Sequence, residues 1–179
     1  LGVAMVTPFT KSGEVDVKGL KALTEHIITG GADYLVVLGT TGESVTLNKE
    51  EKKLVIDTIL ASNNGRKPIV LGIGGNNTTE VANQLSRLEA HGIDAILSVT
   101  PYYNKPNQNG LYEHYKTLSE VSKLPIILYN VPGRTSVNLL PDTVSKIAFD
   151  CRNIIGIKEA SGNVEQVMSV IQQTPKEFM

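Results

Sequence analysis

One cysteine, Cys151, is all that the chain contains, and a single thiol cannot close an internal disulfide. A reducing compartment is compatible with that. Charge of one sign is also missing: the formal net charge is -1, which offers no electrostatic reason to expect nucleic acid or an anionic membrane as partner. No apolar run approaches the length of a membrane-crossing helix. The opening segment, LGVAMVTPFT, has neither the basic flank nor the small-residue cleavage site of a secretory signal. There is no linker, repeat or low-complexity stretch, so one domain is expected. His26, His91 and His114 fall in or beside helical stretches at no metal-ligand spacing; they read as structural or solvent-facing, and no metal is expected.

What is present is an ordinary globular composition. The chain has 179 residues, 41% hydrophobic and 20% charged, enough for a core of its own. Apolar runs and helical patterns alternate. Strands are expected at Val3 to Val6, Tyr34 to Leu38, Ile69 to Ile73, Ala95 to Val99, Ile126 to Tyr129 and Ile154 to Lys158. Between them, helices are expected from Val15 to Thr29, from a capping box at Asn48 and Glu51 to Ala61, and after Asn77 with Val81, Leu85 and Leu88 on the buried face. Further helices run from Asn109 to Val121, from Pro141, and from Val164 to Ile171. Asn63-Asn64-Gly65 reads as a turn. Six strand-helix units of this kind predict a parallel α/β sheet with right-handed crossovers. A doubly wound sheet and a (β/α)8 barrel both fit.

The chain is organised around NIIGIKEASGN, residues 153–163. Ile154-Ile155-Gly156-Ile157 reads as a buried strand that ends on Lys158, and the residues after it favour a helix start. In both architectures the carboxyl ends of the strands are where chemistry is done. A lysine held in a dry, crowded strand end loses its proton more readily, and a neutral amine attacks a ketone to form a Schiff base. The bland alternative is a lysine that snorkels to water. Other polar residues follow strand ends too: Thr40 and Thr41, Tyr103, and Tyr129 with Arg134. On the rim of a barrel they would share a pocket. Gly39-Thr40-Thr41-Gly42 lacks the Gly-Lys-Ser/Thr ending of a phosphate loop. Gly72-Ile73-Gly74-Gly75 reads as close packing rather than a dinucleotide turn, and the tyrosines could be core aromatics.

Four segments carry a resemblance: GTTGES (39–44), TPYYNKP (100–106), YNVPGRT (129–135) and GIKEASGN (156–163). In order and spacing they resemble the signature segments of the dihydrodipicolinate synthase (4-hydroxy-tetrahydrodipicolinate synthase) family, within the pyruvate-dependent class I aldolase superfamily that includes N-acetylneuraminate lyase. The resemblance runs over essentially the whole chain and implies a (β/α)8 TIM barrel. It implies a lyase of lysine and diaminopimelate biosynthesis that condenses pyruvate with L-aspartate-4-semialdehyde. Lys158 matches the Schiff-base lysine, and Tyr129 the general acid/base. Thr40 and Thr41 match the hydroxyl residues of the glycine-rich loop, with Thr41 on the pyruvate carboxylate. Tyr129, Thr41 and Tyr103 match a proton relay, Tyr103 reaching in from a neighbouring subunit in many members. Arg134 matches the residue that meets the carboxylate of the second substrate. The family further implies a cytoplasmic homo-oligomer, a dimer of dimers, with no cofactor beyond the covalent pyruvate imine on Lys158.

The physical chemistry agrees with these roles. A tyrosine beside a lysine is a credible proton shuttle, and an arginine fork suits a carboxylate. The rivals are a related pyruvate aldolase acting on sialic acid or a 2-keto-3-deoxy sugar acid, and a non-catalytic fragment or assembly module. VPGRT, with Arg134, suits a small carboxylate better than a polyol.

The resembled barrel has eight units and a C-terminal helical region, whereas six units are legible here. The chain starts on Leu1 and stops on Met179. The expectation is therefore a piece of a longer polypeptide, lacking strands seven and eight, with apolar edges that invite pairing. Ser44, Asn76, Glu80 and Tyr102 match parts of the lysine-feedback site of some relatives. Lys49 and Lys52 would repel the inhibitor's ammonium groups, so weak or no inhibition is expected.

Overall fold

The computed structural model describes residues 1–179. The order of elements is β1 (Gly2–Ala4), α1 (Val17–Thr29), β2 (Tyr34–Val37), α2 (Lys49–Asn63), β3 (Ile69–Gly72) and α3 (Thr78–Ser86). There follow β4 (Ala95–Val99), α4 (Gln108–Val121), β5 (Ile126–Asn130), α5 (Pro132–Thr135), α6 (Pro141–Asp150), β6 (Ile154–Glu159) and α7 (Val164–Gln173). All six expected strands are present, in the expected order. The chain divides into two compact units, Leu1–Gly72 with His91–Asp94, and Ile73–Ala90 with Ala95–Met179.

In the first unit β1 pairs with β2 and β2 with β3, both parallel. Leu35 and Val37 with Ile69 and Leu71 on one face, and Val36 with Val70 on the other, are buried, as strands covered on both faces require. Helix α1 starts at Val17, two residues later than the periodicity suggests. Val15 is taken up in an antiparallel bridge to Phe9, and Asp16 caps the helix by accepting from the Gly19 N–H at 2.9 Å. Its inward face is Leu20, Thr24 and Ile28, packed on α2. Helix α2 opens on the expected capping box: Asn48 Oδ1 accepts from Glu51 N–H, and Glu51 Oε2 from Asn48 N–H, each at 2.8 Å. It ends at Asn64 and Gly65, both at positive φ (47° and 72°), which confirms the turn. Strand β2 stops at Val37 because Leu38 turns into the left-handed region, φ 55°. The Leu38 carbonyl then approaches Gly72 so closely that a Cβ there would lie 2.3 Å from it. The glycine is required by packing, as the sequence suggested.

In the second unit β4, β5 and β6 are parallel neighbours. Ile96, Ile126 and Leu128 are fully buried, as are Leu111, Tyr115 and Leu118 of α4 and Val144 and Ile147 of α6. Each such aliphatic side chain contributes roughly 1.5–3 kcal/mol. Helix α4 packs on α3 and α6, and α6 on α7. The Tyr115 hydroxyl donates to the Ser98 carbonyl at 3.0 Å, so this tyrosine is a satisfied core aromatic. His114 is buried as well, its Nδ1 2.8 Å from Thr78 Oγ1, so of the two expectations for it, structural or solvent-facing, the structural one holds. A register shift between Ile126 and Ile127 lets Ile127 pair with Gly156, and β6 then runs in step with β5 to its end. On the far side of β6 the backbone of Met179 bonds to Ile155 and Ile157. No helix is long and apolar enough to cross a membrane.

Candidate active site

The carboxyl ends of β5 and β6 bring two of the proposed residues together. Tyr129 and Lys158 are register partners in the parallel pair, so their side chains leave the sheet on the same face. Lys158 Nζ lies 4.4 Å from the centroid of the Tyr129 ring. Tyr129 is buried, at 7% exposure. Lys158 is exposed, contrary to the dry, crowded strand end that the apolar run suggested. Outside β5, β6 is paired with the backbone of Met179 at Ile155 and Ile157.

The segment after β5 is built to hold its shape. Pro132 opens the one-turn helix α5, which is not among the helices expected from the sequence, and Ser136 ends it in the left-handed region at φ 57°. The Thr135 hydroxyl donates to the Val137 carbonyl at 3.0 Å and accepts from the Val137 N–H at 3.2 Å. Arg134 sits in α5 with its side chain exposed, free to meet an anion. After β4, Tyr103 stands at φ 73° and is 88% exposed. It is therefore no core aromatic; it projects outward.

Thr40 and Thr41 belong to the first unit. They form a single 3-10 turn, Thr40–Gly42, directly after β2, and both are exposed. The turn is anchored from beneath: the buried Thr7 hydroxyl donates to the Gly42 carbonyl at 2.7 Å, and the Gly42 N–H donates to Gly39 O at 3.1 Å.

A second set of side chains near Tyr129 and Lys158 was not singled out by the sequence reading. Asn130 and Glu159, the next register pair, meet through Asn130 Nδ2 and Glu159 Oε2 at 2.9 Å. Gln166 Nε2 donates to the same oxygen at 2.9 Å, and the Ser161 N–H donates to Oε1 at 2.7 Å. Asn138 closes the circuit. Its Oδ1 accepts from Asn130 Nδ2 (2.8 Å) and Gln166 Nε2 (3.0 Å), and its Nδ2 donates to Gln166 Oε1 (2.8 Å). Burial alone would raise the Glu159 carboxyl, but the hydrogen bonds from Asn130, Gln166 and Ser161 outweigh it and hold it below the ordinary carboxylate range. The available signal was the polar residue immediately after each strand's last expected position.

The model of the dihydrodipicolinate synthetase family matches residues 1–179. The chain is 56% identical over 178 residues to the 4-hydroxy-tetrahydrodipicolinate synthase of Flavobacterium psychrophilum, covering 99% of this chain and 61% of that protein. The crystal structure of dihydrodipicolinate synthase from Thermotoga maritima superposes with a TM-score of 0.95 at 42% identity, over 99% of this chain and 61% of that one. The chloride-inhibited enzyme of Acinetobacter baumannii, complexed with pyruvate, gives a TM-score of 0.91 at 48% identity, over 96% and 58%. The chain thus spans about 61% of the length of the curated relative. Its fold is that of the first six β/α units of a TIM barrel.

Proposed function

The chain belongs to the dihydrodipicolinate synthetase family, and we propose that the protein it forms part of is a Schiff-base lyase condensing pyruvate with L-aspartate-4-semialdehyde to 4-hydroxy-tetrahydrodipicolinate. The observation that carries this reading is the register pair Tyr129 and Lys158, with the amine 4.4 Å from the tyrosine ring at the carboxyl ends of adjacent strands.

In this reading the neutral amine of Lys158 adds to the ketone carbon of pyruvate. Proton transfers turn the oxygen into a leaving water and give the imine. Tyr129 gives and takes those protons. The imine then acts as an electron sink: loss of a proton from the pyruvate methyl leaves an enamine, whose carbon attacks the aldehyde. Thr40 and Thr41 supply hydroxyl and backbone donors to the pyruvate carboxylate. Arg134 offers its guanidinium to the carboxylate of the second substrate. Tyr103, extended into solvent, completes a proton relay in a neighbouring subunit of a homo-oligomer, a dimer of dimers. No cofactor is called for beyond the imine itself.

The family match also supports a single barrel domain that takes in both compact units and is completed by strands seven and eight and a C-terminal helical region. Its place is the cytoplasm, in lysine and diaminopimelate biosynthesis. The match supports this acceptor over a sugar acid.

The test is reductive trapping. Pyruvate and borohydride are added to this chain and to the chain extended to the length of its relatives, and the products are weighed and mapped. We expect one adduct, on the peptide containing Lys158, in the extended chain, and none after Lys158→Arg. Absence of adduct from the extended chain would refute the reading.

A further inference from the structure

We propose that Glu159, Asn130, Asn138 and Gln166 form a positioning lock for Tyr129 and Lys158, with the Glu159 carboxylate as its centre; the inference rests on the roles just given to those two residues.

The lock follows from counting hydrogens. Asn130 is completely buried. Its Nδ2 directs one hydrogen to Asn138 Oδ1 and one to Glu159 Oε2, while its Oδ1 accepts from the Leu139 N–H at 2.9 Å. Gln166 is also buried, and its Nε2 divides its two hydrogens between Asn138 Oδ1 and Glu159 Oε2. With Ser161 N–H on Oε1, the carboxylate receives three N–H donors and has no hydrogen to return. Each amide's orientation is thereby fixed, because reversing any one would set donor against donor or oxygen against oxygen. A network satisfied in only one arrangement is rigid, and a partly satisfied one is costly.

The position of the lock gives it a use. Asn130 follows Tyr129, and Glu159 follows Lys158, in the same register. Successive side chains of a strand leave on opposite faces, so the network grips the two strand ends from the face away from the reacting pair. It touches no substrate. The same network holds Asn138, which closes the segment carrying Arg134, and the Asn138 carbonyl accepts from Gln108 Nε2 at 2.8 Å. Its fourth member, Gln166, lies in the first turn of α7, capped by Asn163 Oδ1 at 3.1 Å. Two strand ends, one loop and one helix are thus held in a single geometry around one half-buried charge.

The experiment uses the extended chain. Glu159→Gln keeps the size of the side chain, removes its charge and turns an N–H toward the donors. We expect the rate of borohydride-trapped adduct at saturating pyruvate to fall about 100-fold, the cost of a small misplacement, while the half-saturating pyruvate concentration stays near that of the unsubstituted protein. Gln166→Leu, which withdraws two donors without adding one, should lower the rate in the same way. Glu165→Gln, on the exposed side of α7, should leave it unchanged. Trapping at the normal rate in Glu159→Gln and Gln166→Leu, with only the melting temperature lowered, would overturn the positioning role, as would failure of both to fold. No adduct in the unsubstituted extended chain would refute the reading of Lys158 itself, and the lock's role with it.

Discussion

His114 shows what a single side chain contributes. Burial lowers its pKa from 6.5 to about 4, and no group pairs with its Nε2, so the folded protein holds the ring neutral. The unfolded chain takes up a proton near pH 6.5. Between that value and about 4 the unfolded state binds more protons, so stability falls as pH falls through this window. From pH 7 to pH 5 the loss is about 2 kcal/mol. Urea unfolding at the two pH values measures it. In His114→Asn the difference between them should shrink by about that amount, even though the variant also loses the bond to Thr78 and is weaker at both. The burial of this ring was not legible from its neighbours. A histidine on the helical stretch 108–121 reads equally well as inward or outward until α3 is placed beside it. Cys151 is similar: it is buried, and that burial raises its thiol pKa, which no local pattern announces.

At the level of single elements the chain was largely legible, because caps and turns are local chemistry. The box of Asn48 and Glu51 was read from spacing and is present with both hydrogen bonds. Asn48→Ala frees the Glu51 N–H at the start of α2 and should cost about 1 kcal/mol, seen as a lowered urea midpoint with unchanged slope. An unchanged midpoint would mean that water replaces the cap without loss. The strand ends were less legible. β2 stops one residue early because Leu38 turns to positive φ, and β5 and β6 run one residue further than their apolar character, through Asn130 and Glu159. Polar residues extend these strands only because each finds a partner across the pair. Helix α5 was missed for a related reason: one turn of four residues has no periodicity to detect, and its Thr135 staple is a contact between close neighbours that sequence spacing does not reveal.

At the level of the whole molecule, the outer helix of the second unit leaves Val164, Met168 and Ile171 exposed along one stripe of α7, with Phe149 exposed on α6. A row of large apolar side chains facing water promotes association. This chain should therefore show scattering that rises with protein concentration, and Met168→Lys, at a position already 64% exposed, should reduce it without lowering the melting temperature. Equal scattering from both proteins would place the sticky surface elsewhere.

The alternation of strands and helices, the capping signals and the order of the four motifs were determined by the sequence alone. Each depends on residues a few positions apart or on chemistry that a residue type carries anywhere. Tertiary structure decided what depends on distant neighbours. It brought Lys158 beside Tyr129 and left Lys158 open to solvent. It sent Tyr103 outward and buried His114. It also gathered Asn130, Asn138, Glu159 and Gln166 around one charge, although nothing in their spacing joins them. Hydrogen bonds and burial act over a few ångströms of space, and only the folded chain makes residues 130 and 159 near neighbours.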